Sequence, residues 1–95
     1  MNLIGLPQLE KFIRKHAAAR EAFLAWRAEV IEARWETPSE IKERYSSVSF
    51  ISGTRIVFNI KGNEYRIDVT INFAAKVVRI NRIGTHEEYD DWTFN

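Results

Sequence analysis

Residues 55 to 73 alternate between apolar and polar side chains with a period of two, which is typical of paired β-strands that share one apolar face. Gly62 and Asn63 interrupt the alternation, and both residue types suit a tight hairpin turn. With these two residues as the loop, the register pairs Ile60 with Tyr65, Phe58 with Ile67 and Ile56 with Val69. All large apolar side chains then lie on one face. The other face is too polar to lie against a core.

A third strand is predicted over residues 76 to 83, after a turn near residue 74. It would pair Ile71 with Val78 and Val69 with Ile80. Arg79 and Asn81 then join the polar face of the sheet. By the same count Arg82 falls on the apolar side, which indicates either a position at the sheet edge or a register that is wrong by one residue.

The first half of the chain has helical spacing instead. Apolar residues at intervals of three and four predict helices over about residues 7 to 17 and 19 to 34. Thr37, Pro38 and Glu40 form a capping signal that starts a third helix, ending near Tyr45. Residues 1 to 5 are a candidate edge strand. The predicted fold is α+β, with N-terminal helices packed on one face of a small antiparallel sheet of three to four strands.

Length and composition limit the possibilities further. Ninety-five residues predict one domain over 1-95, with no second domain. The sequence has no cysteine, which excludes disulfide and thiolate chemistry. It has no apolar run of transmembrane length and no signal-peptide pattern, so we expect a cytoplasmic protein without a membrane partner.

The charges are segregated along the chain although the formal net charge is only +1. Residues 53 to 84 contain six basic side chains and two acidic ones, whereas the tail from Thr85 contains four acidic side chains and no lysine or arginine. Such a distribution creates a local positive field that can attract a phosphate backbone. An ordinary charged surface explains the same composition, so charge alone does not decide.

His86 follows the third strand and lies among acidic residues, beside a sheet face that carries Arg66 and Arg79. Cleavage of RNA by internal attack needs a base, an acid and positive charge at the crowded phosphate. Histidine can take either proton role near neutral pH, and arginine can hold a phosphate by two hydrogen bonds. Tyr89 could stack on a base or transfer a proton. A metal site formed by His86 with neighbouring carboxylates and a simple surface histidine are the alternatives.

Three motifs occur in order along the chain: A-R-W-x-x-P-x-E-I-K at 33 to 42, I-V-F-N-I-x-G-N-x-Y-R-I at 56 to 67, and I-G-T-H-x-E-Y-D at 83 to 90. In this order and spacing the chain resembles the HigB-type toxins of the RelE superfamily over most of its length. The resemblance implies a metal-independent endoribonuclease without a cofactor, an mRNA interferase that cuts messenger RNA, typically on the ribosome. It also implies the toxin role in a type II toxin-antitoxin pair. The partner would be a HigA-like helix-turn-helix antitoxin, with DNA contacted only through that antitoxin.

The resemblance also implies which residues act. The expected catalytic residues are Arg66, His86 and Tyr89. The family pattern also matches at Asn59 and Asn63. Together with the basic residues of the segment from 53 to 84, the expected RNA-binding residues are Asn59, Lys61, Asn63, Lys76, Arg79 and Arg82. Relatives often have a basic residue at the position of Asn81 and an aromatic one at the position of Arg82, so the third strand departs from the family pattern. The alternative function is a noncatalytic module that binds RNA or antitoxin with the same surface.

Overall fold

A computed structural model describes residues 1 to 94 of the chain. Its sheet has five strands in the spatial order β1-β5-β4-β3-β2. The strands are β1 Asn2–Ile4, β2 Ser49–Phe50, β3 Arg55–Ile60, β4 Tyr65–Asn72 and β5 Val77–Thr85. The pairing is antiparallel except between β1 and β5, which run parallel. The α+β class is confirmed, and the sheet is mixed and one strand larger than predicted, because both edges acquire a short strand.

The hairpin of β3 and β4 has the predicted register. Ile60 pairs with Tyr65, Phe58 with Ile67 and Ile56 with Val69. The loop between the strands comprises residues 61 to 64, where the Glu64 amide donates a hydrogen bond to the Lys61 carbonyl at 3.2 Å. Lys61 and Gly62 both have positive φ, at 55° and 64°. Glycine adopts this left-handed backbone without steric cost, which accounts for Gly62 at this position.

A β-bulge between β4 and β5 explains the uncertain position of Arg82. Val69 pairs with Ile80 as predicted, but the neighbouring Asp68 pairs with Arg82, so Asn81 is an extra residue on β5. A bulge places two residues opposite one and locally shifts the alternation of side chains. Arg82 therefore lies on the polar face, with Asn81, and not on the apolar side that strict alternation gave.

The helices are α1 Leu6–Lys15, α2 Arg20–Glu32, α3 Pro38–Arg44 and α4 His86–Asp90, with a 3₁₀ turn at Ala17–Ala19. The three predicted helices form, each within two residues of its predicted start. The first ends two residues early, because His16 has an extended φ of −125° and ψ of 72°. The second also ends two residues early, at Glu32, because the next residue, Ala33, has an extended backbone. In the described residues no helix is long and apolar enough to cross a membrane.

The core lies between the first three helices and one face of the sheet. Phe23, Trp26 and Val30 of α2 are buried against this face. The ring of Phe58 on β3 contacts Trp26 edge-on, with ring centroids 5.5 Å apart. Trp35 and Tyr45 also pack on Phe58. The aromatic residues of the first half of the chain thus form core and do not form an exposed surface for stacking bases.

The opposite, polar face of the sheet is partly covered by the C-terminal segment. The Phe94 ring lies 4.9 Å from the guanidinium carbon of Arg55 and 4.8 Å from that of Arg82. The Trp92 ring lies 4.4 Å from the same carbon of Arg82. Asp68, beneath them, is fully buried. The tail covers part of the face that the sequence marked as too polar to lie against a core, because its aromatic rings stack on the flat guanidinium groups.

Candidate functional site

The three residues predicted to be catalytic meet at one end of the sheet. Arg66 lies on β4 opposite Gly84 of β5, and His86 begins α4 directly after β5 ends. Nη2 of Arg66 is 3.1 Å from Nδ1 of His86. The guanidinium carbon of Arg66 lies 5.0 Å from the ring centroid of Tyr89. The structure therefore brings together a guanidinium from β4 and an imidazole and a phenol from α4.

A capping box fixes the position of His86. The Thr85 hydroxyl accepts a hydrogen bond from the Glu88 amide at 3.2 Å, and the Glu88 carboxylate accepts one from the Thr85 amide at 3.0 Å. The bond from the Thr85 backbone is the main cause that lowers the pKa of Glu88 below its ordinary value. The His86 amide also donates to the Glu64 carbonyl at 2.8 Å, which ties α4 to the hairpin loop.

Sequence reasoning missed α4 although a signal for it was present. Thr85 followed three residues later by Glu88 is the capping-box pattern that starts many helices. Because the helix has only five residues, it is too short to show a helical period of apolar residues. Tyr89 lies one turn after His86 on this helix, which explains how both side chains reach the same end of the sheet.

The guanidinium of Arg66 is directed into the protein. Nη1 donates to the backbone carbonyls of Asn63 at 2.8 Å and Tyr65 at 3.2 Å, and Nη2 also contacts the Asn63 side-chain oxygen at 3.4 Å. Only 6% of the residue is exposed. A phosphate clamp needs free donors that face solvent. Arg66 has instead the contacts of a group that holds other groups in place.

A shallow depression of about 430 Å³ lies beside His86. It is lined by Asn63, Glu64, Thr85, His86 and Glu87. The imidazole of His86 is exposed there, as is the side chain of Asn63. Two of the lining side chains are acidic, and Lys61 offsets one of them through an ion pair with Glu64 at 3.5 Å. The depression is therefore a mixed polar site with an available histidine, and it is not a uniformly basic groove.

The residues predicted to bind RNA are spread over the molecule. Lys61 and Asn63 are exposed in the hairpin loop beside the depression. Asn59 donates to the Ser47 carbonyl at 3.2 Å, and Lys76 donates to the Trp35 carbonyl at 3.1 Å. Lys76 precedes β5 and lies at the far end of that strand from His86, and the 9 strand residues between them span roughly 30 Å at about 3.3 Å per residue. The structure does not bring Lys76 near the candidate site.

The last two predicted residues lie on the polar face. Arg79 is exposed near the start of β5, opposite Thr70. Arg82 donates from Nε to the buried carboxylate of Asp68 at 3.2 Å and from Nη2 to the Thr93 carbonyl at 2.9 Å. Arg79 is thus available to a ligand, whereas Arg82 is committed to holding the tail.

A buried charge cluster around Asp68 was not predicted from the sequence. Its two carboxylate oxygens accept hydrogen bonds from Nε and Nη2 of Arg55, Nε of Arg82 and Nδ2 of Asn81. The hydrogen bond to Asp68 is also the main cause that raises the pKa of Arg55. Asn81 further donates to the Thr70 hydroxyl at 2.9 Å. Asn81 and Arg82, the two positions at which the sequence was expected to depart from the family pattern, are therefore residues that satisfy a buried carboxylate.

The acidic residues near His86 are not arranged as metal ligands. Within residues 1 to 94, no group of three or more histidine, aspartate or glutamate side chains is placed to hold a metal ion. The Glu88 carboxylate is bound to the helix cap instead.

Comparison with known proteins gives the relationship of the chain. A family model described as HigB_toxin, RelE-like toxic component of a toxin-antitoxin system, matches residues 19–92. The chain belongs to the HigB toxin family. It is 25% identical over 95 residues to the mRNA interferase toxin HigB of Escherichia coli (strain K12), covering 98% of this chain and 91% of that relative. The mRNA interferases HigB of Escherichia coli O157:H7 and of Shigella flexneri match to the same extent.

Proposed function

We propose that this HigB family member is an mRNA interferase, an endoribonuclease that cleaves messenger RNA on the ribosome and is neutralised by a HigA-like helix-turn-helix antitoxin. The observation that carries the proposal is the meeting of His86, Tyr89 and Arg66 at the edge of an accessible depression. The names of the curated relatives support the same reaction. We propose that the chain acts without a metal ion, through its own side chains.

The proposed reaction is internal attack within the RNA strand. The 2′-oxygen of one ribose forms a bond to the adjacent phosphorus, and the bond from phosphorus to the next 5′-oxygen breaks. The products are a 2′,3′-cyclic phosphate and a 5′-hydroxyl, and one proton moves from the 2′-oxygen to the 5′-oxygen. Side chains must accept that proton, return it and stabilise the charge on phosphate. The proposed groups are His86, which lines the depression, and Tyr89, one turn later on α4. Lys61 is the exposed cation that pairs with the lining Glu64.

A noncatalytic module that binds RNA or sequesters antitoxin is the second candidate. It is favoured by the internal contacts of Arg66 and by the carboxylates of Glu64 and Glu87 in the depression, which repel a phosphate. Such a protein would use the same surface without cleaving the strand.

The experiment compares bacterial growth and RNA ends on induction of the wild-type chain, His86→Ala and Glu43→Gln. Glu43 is an exposed residue on α3, so its substitution is the matched control. We expect wild type and Glu43→Gln to stop growth and to produce new 5′-hydroxyl ends within coding sequences. We expect His86→Ala to lose both effects. Equal toxicity of all three chains without new ends would refute the enzyme and favour the binding module.

Ribosome dependence needs a separate measurement with purified protein. We expect cleavage of a messenger in a translating mixture and at least about tenfold slower cleavage of the same free RNA, because positioning on the ribosome would supply part of the orientation. Equal rates with and without ribosomes would remove the ribosome from the proposal. Addition of EDTA to a ribosome-free reaction tests the independence from metal, and a loss of cleavage would contradict it.

A further inference from the structure

The contact between Arg66 and His86 determines which nitrogen of the imidazole carries a proton. Arginine has only donors, so the Nδ1 atom that lies 3.1 Å from Nη2 of Arg66 must accept the hydrogen bond. A neutral imidazole that accepts at Nδ1 carries its proton on Nε2. In this tautomer Nε2 has a proton to donate and no lone pair in the ring plane with which to accept one.

The guanidinium is held firmly enough to impose this arrangement. Both Nη atoms have two acceptors each: the Asn63 and Tyr65 carbonyls for Nη1, and the Asn63 side chain and His86 for Nη2. These contacts account for all four Nη hydrogens. The Tyr89 ring packs on the guanidinium, and only 6% of the residue is exposed. Arg66 therefore has little freedom to turn toward a phosphate.

We propose that Arg66 is a positioning residue that holds His86 as the Nε2–H tautomer, so that His86 acts on the RNA phosphate as a neutral hydrogen-bond donor and not as the base. This inference rests on the proposed function and assigns roles within the same site. A neutral imidazole that donates to an oxygen on which negative charge develops can stabilise the transition state. The 2′-hydroxyl proton then goes to a carboxylate that lines the same depression, that of Glu64 or Glu87, and this group returns the proton to the leaving 5′-oxygen.

The first test is ¹⁵N NMR of the His86 ring in the protein without RNA, at a pH at which the ring is neutral. We expect wild type to show a protonated Nε2, an unprotonated Nδ1 and a scalar coupling from Nδ1 to an arginine Nη. Arg66→Ala should lose the coupling and bring the two nitrogen shifts closer together, as the tautomers exchange. Arg34→Ala, which removes an exposed arginine just after α2, should leave both signals unchanged. A protonated Nδ1 in wild type, or identical ring signals in wild type and Arg66→Ala, would overturn the proposal.

This measurement does not require activity, so it separates the inference from the proposed function. If the ring has the expected tautomer and no RNA is cleaved, the arrangement is correct and the nuclease proposal fails. Arg66→Ala must be checked for folding by circular dichroism, because the side chain is buried. If it does not fold, Asn63→Ala is the second variant, since it removes one anchor of the guanidinium and leaves Arg66 in place. We expect a weaker coupling in that variant, and an unchanged coupling with an unchanged ring would contradict the anchoring argument.

The second test is a double-mutant comparison of cleavage rates. A positioning residue acts through its partner, so the loss from Arg66→Ala and His86→Ala together should equal that from His86→Ala alone within about twofold. A clamp on the phosphate would make the two losses multiply. Arg66→Lys should not restore the rate, because a single ammonium cannot reproduce the planar set of contacts. RNA affinity and its salt dependence should be unchanged in Arg66→Ala. A salt slope lower by about one phosphate contact would instead show that Arg66 binds the phosphate.

Discussion

Asp68 and Arg55 form a two-point ion pair between neighbouring strands. The Asp68 oxygens lie 3.1 Å from Nε and 2.7 Å from Nη2 of Arg55, and the carboxylate is completely buried beneath the tail. Arg82 contacts the same carboxylate from β5. This buried charge therefore connects β3, β4 and β5 on the face opposite the helices.

Removal of the Asp68 charge should destabilise the protein. In Asp68→Asn two guanidinium groups lose their counter-ion, and we expect a loss of roughly 2 to 3 kcal/mol in the free energy of unfolding. The expected loss is smaller than for a fully buried pair because both arginines remain partly exposed to water. Urea denaturation measures the change. The control is Arg44→Ala, which breaks an exposed ion pair to Glu29 and should cost less than about 1 kcal/mol. Equal losses in both variants would contradict the importance of burial.

Gly84 should not tolerate a side chain. A Cβ atom at this position would lie 2.7 Å from the Trp92 ring and 3.2 Å from Cβ of Glu88. We expect Gly84→Ala to displace the tail or α4 and to lower the free energy of unfolding by roughly 1 to 3 kcal/mol. The displacement changes the surroundings of Trp92 and therefore the intrinsic fluorescence of the protein, to which Trp26 and Trp35 also contribute. Gly53→Ala is the matched control, since its Cβ would meet no atom within 4 Å. A stable Gly84→Ala protein with unchanged fluorescence would show that the tail does not pack there.

The capping box of α4 should make stability depend on pH. The pKa of Glu88 is lowered in the folded protein, mainly by the hydrogen bond from the Thr85 amide. The stabilisation is thus complete above the ordinary glutamate value of 4.5 and is lost as the pH falls through the lower folded pKa. We expect Glu88→Gln to be less stable than wild type near neutral pH and the difference to shrink as the pH falls below 4.5. Glu87→Gln removes a carboxylate from the same turn outside the cap, and it is the control. A difference between wild type and Glu88→Gln that does not vary with pH would contradict this mechanism.

Lys61 should contribute to RNA binding, whereas Lys76 should not. Lys61 is exposed beside the depression, and each phosphate contact that is lost lowers the salt dependence of binding by about one unit of slope. We expect Lys61→Ala to weaken association and to flatten that dependence. Lys76→Ala removes the same charge at the far end of β5, where the ammonium contacts the Trp35 carbonyl. Affinity measured by fluorescence anisotropy at several salt concentrations decides between the two, and equal slopes in both variants would exclude the Lys61 contact.

The pairing of β3 with β4 could be predicted from the sequence, because one apolar face and one short loop permit only one register. The core aromatic residues followed from the same alternation and from helical spacing. The family could be inferred too, because three motifs share one order. These predictions rest on patterns among residues close together in the chain, and such patterns can be recognised in a single sequence.

Much of the site depends on contacts between distant parts of the chain and could not be predicted in this way. The bulge at Asn81 depends on a carboxylate 13 positions earlier that requires two donors from β5. The packing of the tail on the polar face depends on contacts of the Trp92 and Phe94 rings with the guanidinium of Arg82. The sequence indicates that Arg66 is basic but not that its donors have internal acceptors. Such partners become visible only when the strands are assembled.

Asn81, the extra residue in β5, determines which face of the sheet the following side chains occupy. Were residues 80 to 85 a regular ribbon, alternation would turn Arg82 toward the helices and Ile83 toward the tail. The bulge exchanges the two faces, so that Arg82 contacts Asp68 and Ile83 packs against the hydrophobic core. An insertion or deletion close to Asn81 would therefore also reorient the imidazole of His86, because the bulge sets which face of the strand each later side chain occupies.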